Sequence, residues 1–139
     1  MIQLLAQRDL LNDRKNVQTL MANTSLREVQ LILEEALRGR VHDWRWEKKG
    51  EKNSRVLKGA MGALDQMMNA HDMDSREVVD RFHRFLTAGR SHFDPKLLTA
   101  LLNALSLCDM SLQRSAQGRI QLEAFLHRVA EIGVEHAEQ

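Results

Sequence analysis

From Leu97 to Leu107 the chain sets Leu97, Leu98, Ala100, Leu101, Leu102, Ala104, Leu105 and Leu107 around nearly every side of a helix. A helix that is apolar all round has no face to give to water, so it belongs in the middle of a bundle or in a partner interface. Its start is the sharpest boundary in the sequence. Asp94 is a good cap, and Pro95 suits the first helical position, where its missing N–H is not needed. This one segment therefore asks for other helices to cover it.

Those helices are legible in the spacing. Ser25 and Glu28 form a capping box, Leu26, Val29, Leu33 and Leu37 then share a face with Ile32 and Ala36 alongside, and Gly39 suits the left-handed position after the helix. Asp74 and Glu77 repeat the box ahead of Val78, Val79, Phe82, Phe85 and Leu86, with Gly89 as the stop. The last stripe, Leu122, Phe125, Leu126, Val129 and Ile132, predicts a helix from between Ser111 and Gln117 to about His136, its ends loosened by Gly118 and Gly133. Between them, Ser54 is expected to cap a helix carrying Val56, Leu57, Ala60, Met61, Leu64, Met67 and Met68. Gly59 and Gly62 each cost such a helix roughly 1 kcal/mol relative to alanine, which suggests close packing against another helix. Weaker patterns predict short helices over 1–11 and 14–21.

The expected fold is therefore all-α: a single domain over 1–139, a bundle of six or seven helices, with no internal repeat and no linker. One proline, no tyrosine and few β-branched residues agree with it, and 43% hydrophobic with 28% charged residues is ordinary for a soluble globular chain. The lone Cys108 has no internal partner and sits beside an apolar run, as a core thiol would in a reducing compartment. No secretory leader pattern and no run of about 18 apolar residues is present, so a cytoplasmic protein without membrane contact is expected.

The helical pattern fails once. From Val41 to Asn53, His42, Trp44 and Trp46 alternate with Asp43, Arg45 and Glu47, and a polar turn follows, which predicts a basic loop or short β-hairpin near 41–53. The surrounding stretch 38–58 holds Arg38, Arg40, Arg45, Lys48, Lys49, Lys52, Arg55 and Lys58 against three acids, a net charge of +5 that leaves the rest of the chain at −4. Such a patch attracts phosphate or an acidic partner, and Trp44 and Trp46 add indoles able to stack on a base or anchor an interface. These ten residues are the candidate binding site. The competing interpretation makes both tryptophans a cover for the bundle end and the lysines a solvated turn. No helix-turn-helix pattern accompanies the segment.

Catalytic signatures are missing. There is no Gly-rich phosphate loop, paired CxxC, Ser-His-Asp set or HExxH, and Cys108 has no neighbouring base. His42-Asp43 and His71-Asp72, with His83, His92 and Asp94, prompt comparison with the donor set of HD-type metal phosphohydrolases, and His92 to Leu98 (HFDPKLL) resembles a terminal segment of the HD-GYP subgroup. Seven residues do not carry a family, His71-Asp72 falls between helices and Asp94 is accounted for as a cap. No metal, cofactor or small-molecule substrate is expected. The sequence points first to a non-enzymatic helical interaction module of bacterial style, a regulator, adaptor or small subunit of an intracellular assembly, meeting a protein partner or self-associating as a dimer. The alternative is a nucleic-acid-binding regulator that uses the tryptophan-bearing segment 38–58.

Overall fold

The computed structural model describes residues 26–88, 93–114 and 117–138. Helix α1 covers 26–37; strands β1 (Asp43–Lys49) and β2 (Lys52–Lys58) follow, then α2 (Gly59–His71), α3 (Ser75–Thr87), α4 (Pro95–Arg114) and α5 (Gly118–Glu138). The described residues thus carry five helices and one antiparallel two-stranded hairpin. The count of six or seven helices is not matched, and the helices expected over 1–11 and 14–21 lie outside the described residues. None of the described helices is long and apolar enough to cross a membrane.

The helices form where apolar spacing and caps agree. In α1, Val29, Ile32, Leu33 and Ala36 are fully buried, and the helix closes in a Schellman turn: Gly39 N–H donates to Ala36 and Arg40 N–H to Glu35. Asp74 caps α3 by accepting from the Glu77 amide at 2.9 Å. Asp94 does the same for α4, accepting from the Lys96 amide at 3.0 Å, with Pro95 in the first turn. Ser25 lies outside the described residues, and Glu28 directs its carboxylate to His71.

Helix α4 packs on both α3 and α5, which answers the demand made by its apolar surface. Leu97, Leu101, Ala104, Leu105, Cys108 and Leu112 are buried. Phe82 of α3 meets Phe125 of α5 with ring centroids 5.4 Å apart, at the centre of the core. The cover is incomplete, because Leu107 remains 65% exposed and Met110 49%.

The main departure lies between Ser54 and Gly62. Instead of opening a helix, Ser54, Val56 and Leu57 continue β2, paired in register with Glu47, Arg45 and Trp44. The helix starts only at Gly59, whose φ of +80° marks the sharp change of direction. No side chain caps α2. Its first free amides are satisfied instead by the chain entering the hairpin, Ala60 N–H donating to Arg40 O and Met61 N–H to Val41 O. Those bonds pinch the two ends of the hairpin together. A side chain on Gly62 would run into the Leu57 carbonyl and one on Gly59 into that of Arg40, so both glycines admit hairpin backbone rather than the neighbouring helix expected. Gly133, read as a loosened end, lies within the last third of α5 against the Leu37 carbonyl of α1 and lets those helices approach.

Candidate functional site

An isolated two-stranded hairpin is marginal in water. Here the root is fixed by buried Val41, half-buried Leu57 and the two amides of α2, while the rest projects with mostly exposed residues. The tip turns at Gly50 and Glu51, and a positive φ at Gly50 alone is the pattern of a type II′ turn, which matches strand twist.

Strand alternation then sorts the side chains. Trp44, Trp46 and Lys48 share a face with their cross-strand partners Leu57, Arg55 and Asn53, and that face holds no carboxylate. Trp44 is 51% and Trp46 71% exposed. The Arg55 guanidinium lies 5.1 Å from the centroid of Trp44, an exposed cation–π contact worth about 0.5–1 kcal/mol that also orients the indole. The other face carries Asp43, Arg45, Glu47 and Lys49 opposite Lys58, Val56, Ser54 and Lys52. Both strand acids are consumed there: Asp43 holds Arg45 at 2.9 Å and Glu47 holds Lys58 at 2.9 Å. This paired face borders an open hollow of about 240 Å³ over α1 and α2, lined by Leu31, Glu35, Arg40 and Gln66 among others.

The ten candidate residues are thus not equivalent. Arg40, Arg45 and Lys58 are neutralised by Glu35, Asp43 and Glu47, and Arg55 is stacked on Trp44. Among the described residues no acid pairs with Arg38, Lys48, Lys49 or Lys52, and all four are exposed. The aromatic face with Lys48 and Arg55, flanked at the tip by Lys49 and Lys52 of the opposite face, is a surface suited to flat π-systems carrying negative charge.

Among the described residues the two histidine-aspartate pairs do not meet in one donor group. His71 lies 3.1 Å from Glu28, Asp72 ends α2 in the left-handed conformation and Asp94 caps α4, while His92 is outside the described residues. Burial, with a contribution from Asp109, pushes the Cys108 thiol up to about 11, and its S–H donates to the Gln121 carbonyl at 3.5 Å. It is a protonated core thiol at neutral pH. Sequence reasoning passed over a grouping at the root of the hairpin, where His42 meets Glu123 and His127 of α5. The i, i+4 spacing of Glu123 and His127 was the available signal, but nothing local to His42 announced it.

No protein-family model, curated protein or solved structure matches the chain.

Proposed function

We propose that the chain is a non-enzymatic interaction module whose contact surface is the tryptophan face of the β1–β2 hairpin, and whose ligand is a single strand of nucleic acid. The observation that carries this reading is the sorting of the hairpin: two exposed indoles with Lys48 and Arg55 on a face without a carboxylate, both strand acids being paired on the other. Bases stack on indoles regardless of sequence, and phosphates are met by the unpaired lysines. A duplex offers no exposed base faces and is the weaker ligand.

The test is fluorescence anisotropy of a labelled single-stranded oligonucleotide. Affinity is expected to fall steeply with salt and to drop about 5- to 150-fold in Trp46→Ala, the equivalent of losing roughly 1–3 kcal/mol of stacking. Absent or salt-insensitive binding would remove the reading.

A second reading, contact with a protein partner or another copy of the chain, is favoured by Leu107 and Met110, which stand exposed on α4 beside a shallow groove against α5. Sedimentation velocity of the wild type and of Leu107→Glu tests it for self-association.

A further inference from the structure

Residues His42, Glu123 and His127 bring three metal-ligating side chains to one place. Glu123 and His127 stand one turn apart on the same side of α5. His42 arrives from the residue just before β1: ahead of it Arg40 O and Val41 O accept the first amides of α2 and Val41 is buried, and after it Asp43 pairs with Lys58. The imidazole Nε2 of His42 is 3.5 Å from Glu123 Oε1. The two imidazole rings stack with centroids 5.1 Å apart, and one ligand atom from each of the three residues lies within 4.8 Å of the others.

We propose that His42, Glu123 and His127 form a binding site for a divalent transition-metal cation, of which zinc is the best match. Two imidazoles and one carboxylate are borderline nitrogen and oxygen donors, the set that suits zinc and its first-row neighbours rather than magnesium or calcium. Around a tetrahedral zinc with bonds near 2.1 Å, donor atoms sit about 3.4 Å apart. The 3.5 Å contact already meets that spacing, and closing the remaining spread of up to 4.8 Å, by about 1.4 Å given the donor spacing above, is within reach of side-chain rotation, since His42 and His127 are exposed and Glu123 half-buried. Nearby Arg119 does not compete for Glu123 as an ion-pair partner, because both carboxylate oxygens of Asp65 hold it, at 3.1 and 2.8 Å. Three protein donors leave a fourth position for water or for a ligand from a binding partner. A metal here fastens the root of the hairpin to α5, and this proposal stands independently of what the hairpin binds.

The test is titration of the full chain with zinc chloride, followed by calorimetry, on the wild type and on His42→Ala, Glu123→Gln and His127→Ala, with His71→Ala as a control that removes a histidine–glutamate pair elsewhere. The expected result is one equivalent of zinc per chain, with affinity about tenfold or more weaker in each of the three site variants, unchanged in the control, and undiminished by excess magnesium. Circular dichroism of each metal-free variant separates loss of a ligand from loss of the fold. Cobalt(II) supplies a second readout through its visible absorption, which reports nitrogen and oxygen donors directly. Failure of the wild type to bind one equivalent, or binding that survives all three site substitutions, overturns the proposal.

Discussion

The hairpin and the α3–α4–α5 layer are held together by opposite means. In the layer, Phe82, Leu86, Leu101, Leu122 and Leu126 are almost wholly withdrawn from water, and removal of that apolar surface dominates stability. In the hairpin the stabilising contacts are backbone pairing, a cation–π contact and exposed ion pairs, each worth at most about 1 kcal/mol. Its largest apolar side chains, the two indoles, remain in water. The contrast teaches where each region's residues were spent: the layer secures the fold, whereas the hairpin keeps a costly surface open and survives because its root is tied to α1 and α2.

The largest effect should come from breaking the layer. Phe82→Ala removes a fully buried ring packed on Phe125 and is expected to cost about 3–5 kcal/mol in urea denaturation. The contrast sharpens with Lys48→Gln, Lys49→Gln and Lys52→Gln combined, expected to leave stability within about 0.5 kcal/mol per substitution while lowering the salt slope of single-strand binding by about 2, if each lysine meets one phosphate. A large stability loss in that variant would show the hairpin to be part of the folding core.

A smaller effect is expected from pH. Cys108 belongs to the layer, and burial raises its pKa from 9.0 in the unfolded chain to about 11. The folded state holds the proton more tightly, so the contribution is complete below pH 9 and is lost as pH rises towards 11. Cys108→Ser should flatten this alkaline decline in thermal melts, and the native thiol should resist alkylation at pH 8 until the chain unfolds.

The same contrast explains what could be foreseen. Asp74 with Glu77, Asp94 with Pro95 and the stripe from Leu122 to Ile132 are local signals, and each marked its helix, although the last begins at Gly118 rather than between Ser111 and Gln117, because α4 runs on to Arg114. At Val56 and Leu57 the local signal misled, since their spacing from Ala60 and Met61 is as good for a helix face as for anything else. Pairing with Arg45 and Trp44 across the turn decided their conformation, and pairing is a property of two segments together. The exposure of Trp44 and Trp46 was equally out of reach, although their shared face was implicit in the i, i+2 spacing. The division of the acids onto the opposite face could have been read from Asp43 and Glu47 once the strand was granted. His42, Glu123 and His127 meet only because α5 crosses the root of the hairpin, which no window of sequence contains.

The chain holds two tryptophans, Trp44 and Trp46, so its indole emission reports on the hairpin alone. Titrating the protein with a single-stranded oligonucleotide while following that emission tests most directly whether the aromatic face is the contact surface. Stacked bases should quench the emission to saturation, at a midpoint that moves to higher oligonucleotide concentration as salt is raised. Oligonucleotide binding detected by anisotropy with the indole emission unchanged would contradict that assignment.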